Sequence, residues 1–185
     1  MGSAPHSPPP RRLVARALAA LGAGVLALAG GGVAAAPGPI SQGVVLTVPT
    51  GQDLLVRVGG SERRVRLACV QAPRPQQQPW ARQARTELLT LVPAGSTVSL
   101  ELRGRDVFAR EVAVVRLQGK DVAGALLQKG ALFRYDGYLG LCEDLGYEAL
   151  EQRARERRLG VWATPGGIER PWDVIQRLGD TTAEP

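Results

Sequence analysis

The chain has 185 residues, the size of one domain, with 23 Lys and Arg against 17 Asp and Glu and a net charge of +6. Its only histidine is His6 and its only cysteines are Cys69 and Cys142. Beyond residue 6 this excludes Ser-His-Asp and Cys-His catalysis and histidine-based zinc sites, and two thiolates alone do not build a structural zinc site.

Arg11, Arg12 and Arg16 form a basic start, Leu13 to Ala36 is rich in Leu, Ala, Val and Gly, and the first acid is Asp53. Val33 and Ala35 fit the −3 and −1 positions of a signal-peptide cleavage site, so residues 1–35 read as a leader cut after Ala35. A cut after Ala36 would place Pro37 next, which disfavours it. The other reading is an uncleaved N-terminal anchor, since the apolar stretch is just long enough to span a bilayer. The pair Arg11-Arg12 fits a twin-arginine signal poorly. The expected location is exported, periplasmic or extracellular, with or without an anchor. Three of the 23 basic residues and none of the 17 acids lie in the leader, so the remainder carries +3. That permits a phosphate-bearing partner without demanding one. Only Lys120 and Lys129 are lysines. Arginine suits bidentate phosphate contacts, and a GC-rich genome enriches it as well.

Residues 36–42 read as a linker. From Gly43, Val44 to Val48 alternates as a strand and Pro49-Thr50-Gly51 turns. Leu54 to Val58 is a second strand, and Gly59-Gly60 joins it to a third, Arg64 to Cys69. Pro73 stops that strand and Pro75 to Pro79 is a polar loop. Trp80 to Leu91 is a helix with Ala84, Leu88 and Leu91 on one face. Thr97 to Leu102 and Glu111 to Leu117 are the fourth and fifth strands, with a turn at Arg103 to Arg110. Asp121 to Lys129 is a short helix ended by Gly130, and Tyr147 to Arg158 is a longer one. Residues 164–185 read as an irregular tail. Three strands, a helix, two strands and two helices predict an α+β fold, a five-stranded oligonucleotide-binding-type barrel with about three packed helices.

Five ordered motifs carry a family resemblance. They are R-V-R-L-A-C-V-Q-A-P-R at Arg64–Arg74, D-x-F-x-R at Asp106–Arg110, L-L-x-K-G-A at Leu126–Ala131, Y-x-x-L-E-x-x-A-R at Tyr147–Arg155 and L-G-V-W at Leu159–Trp162. Each is weak alone, but the order and spacing together are specific. The stretch from Val44 to Trp162 resembles the staphylococcal-nuclease-like, or thermonuclease, proteins. The domain is therefore expected at residues 43–163.

The resemblance implies a calcium-dependent phosphodiesterase, and the family's carboxylate positions are substituted here. The family's D-G-D-T turn becomes Thr50-Gly51-Gln52-Asp53, which puts Gln52 at the first metal position. The family's R-x-R-L-x-G-I-D-A-P-E puts Gln71 at the second metal position and Arg74 at that of the general base. Both phosphate-gripping arginines remain, as Arg66 and Arg110, with Phe108 as an aromatic face in the same turn. Two Asp-to-Gln changes and one Glu-to-Arg change move the site four charge units toward positive, and calcium wants several carboxylate oxygens. Asp53 is one residue from Gln52, and a one-residue slip on a strand reverses the face. No acid lies between Glu62 and Glu87, so no slip restores the other two. Glu62, Asp106 and Glu111 are the remaining replacements, each with an ordinary reading as a solvated turn or strand residue.

The expectation is a nuclease-like domain that has lost metal-dependent hydrolysis. It would bind a phosphate-bearing ligand, nucleic acid or a protein, as a monomer and with no metal, other cofactor or integral-membrane partner. The other reading is an active calcium-dependent nuclease with unorthodox ligands. Arg66, Arg74 and Arg110 are expected to form one positive concavity with Phe108 beside it. Alternatively, Arg110 pairs with Asp106 or Glu111 and Arg66 merely flanks a strand. Trp80, Tyr147 and Trp162 read as packing residues. The last helix packs on the barrel in this family, so an exported chain is expected to join Cys69 to Cys142. A buried thiol is the alternative.

Overall fold

The computed structural model describes residues 38–135 and 142–182. The expected leader and its cleavage point lie outside the described residues. In chain order the elements are β1 (Ile40–Thr47), β2 (Asp53–Val58), β3 (Ser61–Leu67), β4 (Val70–Gln71) and α1 (Trp80–Leu91). Then come β5 (Thr97–Arg105), β6 (Glu111–Leu117), β7 (Lys120–Asp121), α2 (Val122–Gln128) and β8 (Phe133–Arg134). α3 (Tyr147–Glu156) and α4 (Pro171–Thr182) complete the chain, with 3-10 turns at Glu143–Leu145 and Gly160–Trp162.

The long strands run in the order β3-β2-β1-β5-β6, and a parallel pairing of β3 with β6 closes the sheet. This is a five-stranded mixed barrel of the oligonucleotide-binding type, with four helices among the described residues. Its register follows the alternation: Leu54, Val56 and Val58 of β2 point inward while Arg57 faces water. β6 departs from alternation because Glu111 to Val115 are all buried. It lies between β5 and β3, with α2 packed against it, so Val112 to Val115 read as a continuous apolar run after Glu111. Register shifts at Val45/Thr47 and Leu102/Gly104 mark the sharp bends that closure requires.

The helices are fixed by polar groups at their ends. The Asp121 carboxylate caps α2 by accepting the Gly124 N–H at 3.0 Å and also accepts the Tyr147 hydroxyl at 2.7 Å. One carboxylate thus ties the starts of α2 and α3. Burial, with Asp121 adding to it, pushes the Tyr147 phenol up, so it stays protonated. Two of the sequence motifs meet where the Val161 N–H donates to the Gly130 carbonyl at 2.8 Å. A Cβ on Gly130 would lie 2.2 Å from the Leu159 oxygen, and one on Gly160 would lie 2.2 Å from the Gly130 oxygen. Only glycine allows that approach.

Cys69 and Cys142 form a disulfide with Cα atoms 5.7 Å apart. β3 ends at Leu67, two residues before its expected end, and Cys69 sits in the following turn with φ of 61°. The bridge holds the start of the 3-10 turn to the barrel, and Arg103 grips Asp144 of that turn at 3.0 and 2.7 Å.

Three expectations are corrected. Ile40 to Gln42, read as linker, belong to β1, because Glu101, Leu100 and Ser99 of β5 pair with them. The tail is not irregular: α4 occupies most of it, and Trp172 packs on a second apolar cluster of Phe133, Ala154, Val161 and Trp162. The small antiparallel pair β4–β8 adds two short strands that the alternation does not announce.

Candidate functional site

Three connections meet at one end of the barrel: the β1–β2 turn, the segment from β3 to α1, and the β5–β6 hairpin. The side chains that join them are those the motifs singled out, together with two acids.

Gln52 is buried, and its Oε1 accepts the Ala72 N–H at 2.5 Å. Its own carbonyl accepts the Leu67 N–H at 2.9 Å. Gln52 therefore stitches the β1–β2 turn to β3 and to the residue after β4. Gln71 is also buried, and among the described residues its Oε1 has no hydrogen-bond partner. Arg74 donates its backbone N–H to Gln77 Oε1 at 2.8 Å. It does not line the cavity beside Arg66 described below. Arg110 does not line that cavity either; of the three expected arginines, Arg66 and Arg110 meet at Asp106.

Those two arginines converge on one carboxylate. Arg110 Nε and Nη2 lie 2.7 and 2.6 Å from Asp106 Oδ2, and Arg66 Nη1 lies 3.8 Å from the same oxygen. Asp106 Oδ1 accepts the Phe108 and Arg110 N–H groups at 3.0 and 3.1 Å. Arg110 Nη1 reaches Asp53 Oδ1 at 3.0 Å, while Asp53 Oδ2 accepts the Thr50 hydroxyl at 2.6 Å. The Arg110 guanidinium also lies 5.3 Å from the centre of the exposed Phe108 ring. Burial alone would raise the Asp106 carboxyl. The hydrogen bonds from Arg110 and from the two backbone N–H groups outweigh it and hold the carboxyl below the usual aspartate value.

The expected sign of the site changes with this geometry. Two guanidiniums face two carboxylates, and the four charges cancel. Asp106, read as a solvated turn residue, has a side chain only 5% exposed. Glu111 is likewise buried, against Arg63 at 3.2 Å and Arg105 at 3.3 Å. Asp53 reaches Arg110 from the first position of β2, where it pairs with Arg66 of β3 and lies on the face opposite the buried Leu54 and Val56. The sequence carries two local signals of this. Asp106 stands four residues before Arg110, and Thr50 stands three before Asp53, whose N–H bonds the Thr50 hydroxyl at 3.1 Å.

Beside Arg66 and Asp106 lies a cavity of about 220 Å³, walled by Leu67, Val70, Tyr135 and the disulfide. It is largely apolar, with Arg66, Arg105 and Asp106 at its polar edge.

The family described as Staphylococcal nuclease homologue matches residues 64–164, more than half of the chain. This chain belongs to that family. The match runs from the Arg64 motif through L-G-V-W and covers both site arginines. Probable endonuclease lcl3 of Pyrenophora tritici-repentis is 29% identical over 151 residues, 75% of this chain and 51% of that protein. Probable endonuclease LCL3 of Schizophyllum commune is 33% identical over 132 residues, 61% of this chain and 44% of that protein. Protein ParB of Escherichia coli is 28% identical over 140 residues, 71% of this chain and 77% of that protein. The chain spans about half the length of the endonuclease relatives it matches.

The calcium ion that the family resemblance implies can be tested against the donors of this nuclease homologue. Gln52 has spent its side-chain oxygen on a backbone N–H, and Gln71 offers one neutral carbonyl. The carboxylates of Asp53 and Asp106 are held by Arg110. Among the described residues no group of three or more His, Cys, Asp or Glu could hold a metal. The residues present do not fit a calcium site.

Proposed function

We propose that this nuclease-family barrel binds single-stranded nucleic acid through Arg66 and Arg110 and does not hydrolyse it by a metal-dependent route. The observation that carries the second half is Gln71. Where the family resemblance calls for a metal-binding carboxylate, a buried neutral amide stands with an unpartnered oxygen. The first half is supported by the convergence of two guanidiniums beside a cavity with an aromatic wall. A phosphodiester entering there competes with Asp106 and Asp53 for the same donors. Binding is then an exchange of carboxylate for phosphate, weaker than at a bare arginine pair and steeply salt-dependent. The disulfide supports placing the protein in an oxidising compartment, outside the cytoplasm.

Anisotropy of a labelled oligothymidine measures the binding. The expected result is affinity that is unchanged by chelator and abolished in Arg66→Ala/Arg110→Ala. Equal affinity for that double variant sinks the assignment.

A second reading, an active endonuclease, is favoured by the names of the fungal relatives. It needs ligands other than those described here, and the cleavage assay below separates the two.

A further inference from the structure

A second arginine cluster lies at the other side of the C-terminal core. A cleft of about 420 Å³ is lined by Arg155, Arg158, Arg170, Trp162, Thr164 and the Pro165–Gly167 turn, and none of its lining residues is an acid. It shares no lining residue with the cavity beside Arg66.

The three guanidiniums are held in different ways. Arg155 pairs with Glu151 at 2.6 Å and sits 4.2 Å from the Trp162 ring centre. Arg170 sits 4.3 Å from Trp162 and 4.9 Å from Phe133. It donates to the carbonyls of Ile168 and Gly166 at 3.3 and 3.4 Å, and no carboxylate among the described residues bonds it. Burial and then the Arg155 charge hold its guanidinium below the usual arginine value, with Glu151 and Asp173 opposing. The nearby Glu169 is engaged by Arg177 at 2.9 Å.

Arg158 shows the most about the cleft. The Leu159 N–H bonds the Ala154 carbonyl and the Arg158 N–H bonds that of Arg155, which is the usual glycine-terminated helix ending. Here the left-handed position, φ 54°, holds an arginine instead. An L-residue is disfavoured there by sterics, yet the position sets an exposed guanidinium at the cleft with no ion pair among the described residues.

A chain of rings runs between the cavity beside Arg66 and the arginine cleft. Tyr135, on the cavity wall, lies 5.0 Å from Trp172; Trp172 lies 6.1 Å from Phe133; Phe133 lies 5.1 Å from Trp162. Tyr135 and Trp172 are half-exposed.

We infer that the cleft of Arg155, Arg158 and Arg170 is a second phosphate-binding site, taking the phosphodiester backbone of the same nucleic-acid strand. Guanidinium forks match phosphate oxygens bidentately. A bound phosphate also offsets the mutual repulsion of Arg155 and Arg170. The identity of the ligand rests on the reading above, while the site itself rests on this geometry.

The test uses the full chain and fluorescein-labelled dT4 and dT12 at several salt concentrations. The expected result is tighter binding of dT12 than of dT4, with about a tenfold fall in dT12 affinity in Arg158→Glu. The slope of log affinity against log salt should shrink by about 0.7 for each phosphate no longer neutralised. Arg170→Gln, which keeps a stem over Trp162, reports on the same site should Arg158→Glu disturb the helix end. Wild-type dT12 affinity and salt slope in both variants overturn the second site. Binding that survives Arg66→Ala/Arg110→Ala but falls in Arg158→Glu upholds the second site and removes the first. No binding of dT12 by the wild-type chain overturns both.

Discussion

Arg110 Nη1 lies 3.0 Å from Asp53 Oδ1, across 57 positions of sequence. This pair joins the turn that lacks its first family carboxylate to the hairpin that kept its arginine. The acid next to Gln52 neutralises an arginine. With Asp106 on the other side, the Arg110 guanidinium is met by two carboxylates.

Asp106 is the centre of that balance. Asp106→Asn removes the charged acceptor that Arg110 and Arg66 share and leaves buried guanidiniums short of charge. It should cost about 3 kcal/mol of stability, read by urea denaturation. In the same variant oligothymidine should bind more tightly, because phosphate no longer competes with the carboxylate. Lower affinity would show that Asp106 positions the arginines more than it blocks them.

The folded Asp106 carboxyl titrates below its unfolded value, which is near 3.9. Its contribution is therefore complete above about pH 4 and is lost as pH falls through the folded value. The gap in melting temperature between wild type and Asp106→Asn should be widest near neutrality and close on acidification. A gap that stays constant down to about pH 2 contradicts the assignment.

Closing the loop between Cys69 and Cys142, 73 positions apart, restricts the unfolded chain. Reduction should lower stability by about 2–4 kcal/mol. Denaturant melts with and without reductant measure it, and thiol titration of the unreduced, unfolded protein should find neither cysteine reactive.

The Gly130–Gly160 contact leaves no room for a methyl group, since an added Cβ would meet backbone oxygen at 2.2 Å from either side. Gly160→Ala carries a positive φ as well as the clash. It should destabilise by about 3 kcal/mol or more. Gln83→Ala on the exposed face of α1 serves as the neutral comparison.

The barrel was legible because alternation and turn residues are local: Leu54, Val56 and Val58 alternate, and Gly59-Gly60 turns them back. α4 was not, because it turns only Pro171, Trp172 and Val174 inward, behind a Pro- and Gly-rich run. Motif order alone picks out Gln52, Arg66 and Arg110, which the fold gathers at one end of the barrel. The charge of the site was not legible. Whether Asp53 and Asp106 face solvent or Arg110 depends on how three distant turns meet, which no local pattern encodes. The disulfide needed only two cysteines and the family's placement of the last helix. The arginine cleft hides in sequence because R-A-R-E-R-R looks like an ordinary solvated helix end.

The most direct test of the account is a cleavage assay on the purified protein with single-stranded DNA and RNA, with calcium or with chelator. The account predicts no calcium-stimulated cleavage by the wild type. It predicts that Gln52→Asp/Gln71→Asp/Arg74→Glu gains a calcium-dependent rise in melting temperature as carboxylates return. Wild-type turnover that chelator abolishes and calcium restores would contradict it.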